Sequence, residues 1–317
     1  MAASTSGSGG WAQPMSEPPR VTLGVMTCNV ERYLAGALDA ILAQDFPDYE
    51  VVVCDNASTD STWEICERYA AKDSRFRIYR NDTNIGVAGS FARVVSLARG
   101  EFFRLVAHDD LMAPTLLRRC VEALEHDPTA VMAYPRTIII DDNGDERGPH
   151  DEERAIVADR PAARILALLG SWSLCNQIFG LIRTDALRET QLLSADLPSS
   201  DRRLLIELVV RGRFVLVDEH LFYRRVGESS SYGGDRGVPT YEWLEPDAAR
   251  QGRLPKKFAK LWGDANRLTI RTVKALLVSD LPAAVRLAAA TTFAAALSAR
   301  RAKAKVGWWR RQIMYGR

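Results

Sequence analysis

The sequence predicts an α/β protein: a mostly parallel sheet flanked by helices, with a helical carboxyl-terminal extension. Three observations predict it. From Arg20 onward, short β-rich apolar runs alternate with stretches of helical periodicity. The first four apolar runs each end in a polar loop, and beyond Tyr241 only helical periodicity remains. With 317 residues, 47% of them apolar, the chain can bury one substantial core or a core with an appended subdomain.

Taken in order, Val21 to Thr27 reads as a first strand, Tyr33 to Ala43 as a helix, Glu50 to Asp55 as a second strand and Thr62 to Ala71 as its helix. Phe76 to Arg80 gives a third strand, Val87 to Leu97 a helix and Phe102 to Val106 a fourth strand. Pro114 suits the first turn of a helix running to Glu125, and Ala130 to Tyr134 is a further strand. The pattern then changes. A hairpin is expected around Asp142-Asn143-Gly144, a helix near Ala162 to Leu169 and an apolar stretch at Ile178 to Ile182. Asp201 opens a helix that Gly212 ends, and Phe214 to Val217 and Leu221 to Arg225 follow as two short strands.

The net charge of +2 hides an uneven distribution, with acids crowded from Asp141 to Glu153 and a basic end from Arg300 to Arg317. Cys28, Cys54, Cys66, Cys120 and Cys175 form no Cys-x-x-Cys pair, so they read as reduced structural residues in a reducing cytoplasm. Residues 1–19 are rich in Ser, Gly, Ala and Pro and read as a disordered tail, not a secretory signal. The longest apolar candidate for a membrane span, Leu281 to Leu297, contains Arg286 and falls short of the ~20 residues a spanning helix needs.

In an open parallel sheet, ligands bind outside the carboxyl ends of the strands. Here those ends read Thr27-Cys-Asn29, Asp55-Asn-Ala-Ser-Thr-Asp60, Arg80-Asn-Asp-Thr-Asn84 and His108-Asp-Asp110. Ser58, Thr59 and Asp60 also suit a helix cap, and Asn81 and Asn84 a turn. Asp109 and Asp110 are adjacent acids that repel unless a cation or a dense hydrogen-bond set compensates them. Hard oxygen ligands of this kind suit Mn²⁺ or Mg²⁺ carrying a diphosphate, and a solvated acidic turn before a helix is the alternative.

These residues together resemble glycosyltransferase family 2. The resemblance runs from Thr27 and Asn29 through Tyr33, Leu34 and Gln44 to Asp55-Asn56-Ala57-Ser58-Thr59-Asp60-Ser61-Thr62, then Asn84-Ile85-Gly86 and the acidic pair. It covers Val21 to Val226. It implies the GT-A fold, with a Rossmann-like sheet, and inverting, non-processive transfer of a sugar from a UDP-, GDP- or dTDP-sugar to a glycan or lipid-linked acceptor. Thr27, Asn29, Asp55 and Asn84 would then serve the nucleoside side, Asp109 the ribose or metal, and Asp110 the metal. The family's Asp-x-Asp-Asp motif has Ala107 and His108 in its first two positions here; His108 orients the turn or contacts donor or metal. Asp201, with Leu204 and Gly212 in the family's spacing, is the expected catalytic base, and helix capping is its structural alternative. Arg224 and Arg225 are the expected diphosphate contacts.

On this reading residues 20–135 form a nucleotide-sugar-binding half, 136–240 an acceptor half, and 241–317 a helical, basic amphipathic region. Trp308 and Trp309 beside Arg310 and Arg311 suit the headgroup layer of an anionic membrane, giving a cytoplasmic protein peripheral on that surface. A helix packed on the catalytic domain is the alternative, and no nucleic-acid module accompanies the charge. Two other classes compete with transfer. A sugar-phosphate nucleotidyltransferase usually shows a Gly-rich loop where Thr27-Cys-Asn-Val-Glu stands, and the retained Asp55, Asp109, Asp110 and Asp201 argue against an inactive nucleotide-sugar-binding module.

Overall fold

The computed structural model describes residues 17–150, 153–171, 174–195, 197, 200–227 and 257–315. The side chains of 257–267 and 300–315 fall outside that description, as do the tail to residue 16 and the boundary expected at 240. Three βα steps and a fourth strand open the described chain: β1 (Val21–Thr27), α1 (Glu31–Leu42), β2 (Tyr49–Asp55), α2 (Thr62–Lys72), β3 (Phe76–Arg80), α3 (Gly86–Leu97) and β4 (Phe102–Val106). Strands β1 to β4 pair in parallel in the order β3-β2-β1-β4. The first seven elements lie within two residues of their expected bounds. Their apolar periods are long enough to be unambiguous, and β1 and β2 are buried along their whole length.

The remaining strands complete one mixed sheet: β5 (Leu111–Met112), β6 (Ala130–Ile140), β7 (Glu146–His150), β8 (Leu181–Arg183) and β9 (Arg213–Arg225). The path continues β4-β8-β6-β9-β5, with β7 on β6 as the expected hairpin. Between these strands lie α4 (Leu116–His126), α5 (Pro161–Gly170), a 3-10 turn (Asn176–Phe179), α6 (Thr184–Arg188) and α7 (Ser200–Arg211). Two expected strands prove to be one. Asp218, Glu219 and His220 separate the two expected strands, yet β9 runs through them across a register shift, with Arg136 pairing with His220 and its guanidinium holding Asp218. Pro114 lies ahead of α4 instead of in its first turn, and its carbonyl accepts the Asp45 N–H at 2.9 Å. The two-residue β5 and five-residue α6 are too short to show a period.

Helices cover both faces. One core packs α1, α2 and α4 on the sheet through Leu34, Ile65, Leu117 and Val121. The other packs α3, α5 and α7 through Phe91, Ile165, Leu205 and Val209. Gly212 stops α7 because a Cβ there would stand 2.4 Å from Val131 and 2.7 Å from the Thr129 carbonyl oxygen. Two helices follow, α8 (Lys257–Val278) and α9 (Ala283–Tyr315). Leu268, Leu276, Ala289 and Phe293 bury them in the second core, against α5 and α7. The described part of the extension therefore packs on the catalytic body, as the structural alternative expected. Ile270, Leu277, Val278 and Leu287 stay exposed on it. No helix among the described residues is long and apolar enough to cross a membrane.

Candidate active site

The loops after β1, β2 and β3 are laced together by side chains. Thr27 Oγ1 donates to Asp55 Oδ1 at 3.1 Å, and Asp55 also accepts the Ser58 N–H at 3.2 Å and the Ser58 hydroxyl. Arg80 Nε lies 3.3 Å from its other oxygen. Asn56 Oδ1 accepts from Asn81 Nδ2 and the Ile85 N–H, both at 2.9 Å. Asn84 Oδ1 accepts from Asn56 Nδ2 at 2.5 Å and from the Gly86 N–H at 2.8 Å. Gly86 holds φ at 74°, the left-handed region where a side chain is strained, and so turns the chain into α3. Asn29 holds φ at 53° and its Oδ1 accepts the Thr59 N–H at 2.8 Å.

This lacing narrows what the strand-end residues can do. Asn29 is exposed and Asn84 half-buried, whereas Thr27 and Asp55 have no exposed surface. A base or ribose reaches Asp55 only where Ser58 or Arg80 releases an oxygen. Thr27, Asn29, Asp55 and Asn84 lie outside the lining of the neighbouring cavity.

That cavity, about 190 Å³, opens at the end of β4. His108, Asp109, Asp110, Asp201, Arg224 and Arg225 supply its polar wall, and Met26, Val87, Leu105, Ala107, Ile178, Phe179 and Leu193 much of its apolar one. Residues from the end of β4, the start of α7 and the end of β9 thus converge from positions nearly a hundred residues apart in the sequence. Arg225 braces the acidic loop. Its backbone N–H donates to Asp110 Oδ1 at 2.8 Å, its Nε to the Asp109 carbonyl at 2.9 Å and its Nη1 to the Asp141 carbonyl at 2.5 Å. Its guanidinium also lies 4.4 Å from the Tyr33 ring centre. These contacts use Nε and Nη1 of Arg225, the residue expected together with Arg224 to contact the diphosphate.

Burial sets the electrostatics. It pushes the Asp110 carboxyl up to about 7, with the Asp109 charge adding to the rise and the Arg225 N–H opposing it. His108, whose Nε2 lies 4.0 Å from Asp109, is held below the usual imidazole range by the same desolvation. Asp201 is raised by burial, while the Arg202 N–H that its carboxylate accepts and the Arg224 charge pull the other way. Asp201 therefore lies in the first turn of α7 and faces the cavity at once. Arg224 lies in the field of both Asp110 and Asp201.

One charged residue here escaped the sequence reading. Arg104 interrupts the apolar strand β4 and is buried, with Nε and Nη1 unpartnered among the described residues. Desolvation pulls its guanidinium down to about 10, and its charge acts on Asp110. The signal was a lone cation in Phe102-Phe103-Arg104-Leu105-Val106.

Asp109 and Asp110 fit a divalent metal of the Mg²⁺ or Mn²⁺ kind. Among the described residues no three His, Cys, Asp or Glu side chains gather into a cage. Such a cation needs only one or two carboxylates when substrate phosphates and water complete its shell, and it would offset the repulsion that raises Asp110.

Comparison with known proteins identifies the setting. The chain is 37% identical over 112 residues to the putative glycosyltransferase EpsE of Bacillus subtilis, a stretch that is 35% of this chain and 40% of EpsE. It therefore spans less than half the length of that relative. Its fold is that of TarS 1-349 from S. aureus, solved in complex with UDP-GlcNAc, at a TM-score of 0.62 and 21% identity over 86% of this chain and 71% of that one. The mannosyltransferase PcManGT from Pyrobaculum calidifontis, solved with GDP-Man and Mn²⁺, matches at a TM-score of 0.51 and 20% identity over 91% and 80%. The glycosyl transferase family 2 profile matches residues 22–190, more than half the chain and the whole βα series that ends in the acidic loop. With that match and the GT-A architecture agreeing, the chain belongs to glycosyltransferase family 2.

Proposed function

We propose that the protein is a non-processive inverting glycosyltransferase that moves a sugar from a nucleoside-diphosphate sugar to a hydroxyl of a glycan or lipid-linked acceptor. The observation that carries this reading is the convergence of Asp109, Asp110 and Arg224 with Asp201 on one cavity. The acceptor oxygen attacks the anomeric carbon, the bond from that carbon to the diphosphate oxygen breaks with its electron pair, and Asp201 takes the acceptor's proton. Burial favours this step, because a carboxylate whose proton affinity is raised is a stronger base. Asp109 and Asp110 would hold Mn²⁺ or Mg²⁺, which would neutralise charge on the diphosphate. Arg224 adds a fixed cation to the same wall, and the laced loop of Thr27, Asn29, Asp55 and Asn84 shapes the nucleoside pocket. Residues 20–135 are the donor half and 136–240 the acceptor half.

The donor is a UDP-, GDP- or dTDP-sugar, a reading supported by the nucleotide sugars bound to the fold neighbours. A thermal-shift screen of the three classes, with and without Mn²⁺, tests it. At a hundred times its Kd the right donor stabilises the fold by ~2.7 kcal/mol and raises the melting temperature by roughly 5 °C or more. No shift with any of them would remove the donor reading.

The acceptor reading carries a membrane contact with it. Positions 281 to 317 contain no acid, and Ile270, Leu277, Val278 and Leu287 are exposed beside Arg271 and Lys274. A basic, partly apolar surface of this kind suits an anionic bilayer. Deleting 306–317 is expected to weaken sedimentation with phosphatidylserine vesicles, and unchanged sedimentation would end the membrane reading.

A further inference from the structure

The 3-10 turn Asn176–Phe179 has features that the proposed chemistry leaves unused. Cys175, which enters it, holds φ at 56°. Residues with a side chain adopt that left-handed conformation only where their surroundings enforce it. Asn176 is buried, and its Nδ2 donates to Glu153 Oε1 at 3.0 Å and to Thr137 Oγ1 at 3.1 Å. Its Oδ1 accepts from Arg224 Nη1, which also donates to the Leu174 carbonyl at 2.8 Å. The guanidinium of Arg224 lies 5.5 Å from the Phe179 ring centre. Glu153 is 2% exposed, and its Oε2 finds no partner among the described residues.

A buried carboxylate thus reaches a cavity-lining arginine through a single amide. The carboxylate draws the amide N–H and so strengthens the amide oxygen as an acceptor for the guanidinium. It does so without pairing directly with Arg224, which would cancel the cation's charge at the cavity wall. A free arginine loses rotamer freedom when it grips a phosphate, whereas a pinned one has lost that freedom already.

We propose that Asn176, backed by Glu153, is a positioning residue that fixes Arg224 where its charge meets the phosphates of the donor and of the departing nucleoside diphosphate. This rests on the donor reading above. The strained entry at Cys175 fits it, because that bend sets both the Asn176 amide and the Phe179 ring against the same guanidinium.

The test is calorimetric titration of the nucleoside diphosphate with Mn²⁺, the nucleoside being the one selected in the donor screen. Asn176→Ala is expected to weaken binding about tenfold or more. Arg224→Lys is expected to do the same, and the double variant to bind no more weakly than the poorer single one, because Asn176 acts through Arg224. Asn176→Ala strands a buried carboxylate, so Glu153→Gln/Asn176→Ala is the variant that removes the orphaned charge and still breaks the contact; the same loss is expected of it. Binding within about threefold of wild type in either Asn176 variant, or losses that add in the double variant, overturns the proposal while leaving the donor reading intact. A wild-type chain that binds no nucleoside diphosphate overturns both.

Discussion

Asp201→Asn is expected to fold, to bind the donor within about twofold of wild type, and to transfer sugar about 10² to 10⁴ times more slowly. The substitution keeps the size of the side chain and an oxygen that can accept the Arg202 N–H, so the contact in the first turn of α7 is kept. It removes only the ability to take a proton. If Asp201 served as a cap alone, the amide would replace it with little change. Initial-rate kinetics beside donor titration separate the two, and wild-type turnover in a folded variant would end the base assignment.

The second large effect falls on Asp110. Asp110→Ala is expected to weaken Mn²⁺-dependent donor binding about a hundredfold, ~2.8 kcal/mol, by removing one of the two carboxylates proposed to hold the cation. The pH dependence follows from burial. Its folded pKa, about 7, lies above the usual carboxylate value, so the fold favours the protonated form. Asp110 therefore contributes stability at low pH that is lost as pH rises from about 4 through 7. A cation competes with that proton, so donor affinity with Mn²⁺ is expected to rise between about pH 6 and 8 and to flatten in Asp110→Asn. Calorimetry across that range checks it, and an equal slope in wild type and Asp110→Asn would remove Asp110 from the cation's site.

The first half of this chain was legible because β1, β2 and β4 are buried along their whole length and its helices carry long periods. A period of two or of 3.6 needs several residues to declare itself, which is why β1 to β4 emerged in order and β5 and α6 did not. The second half was harder for a different reason. Strand β9 runs through Asp218-Glu219-His220 because β6 pairs with it, and such a partner is invisible to a local reading. The candidate site divided in the same way. Its acids announced themselves by standing at strand and helix ends. Their electrostatic supports did not, since Arg104 looks like an interruption of an apolar strand and Asn176 like an ordinary loop residue. Asp55 was read as a ligand because of its motif, and the structure shows its oxygens engaged with Thr27, Ser58 and Arg80.

In the proposed mechanism one cavity holds the donor's diphosphate at Asp109 and Asp110 and presents the anomeric carbon to Asp201. A crystal structure of Asp201→Asn with an intact nucleoside-diphosphate sugar and Mn²⁺ tests it most directly. The diphosphate and cation are expected at Asp109 and Asp110, Arg224 on a phosphate, and residue 201 on the face of the sugar opposite the leaving group. A donor bound elsewhere, or a sugar turned away from residue 201, would contradict it.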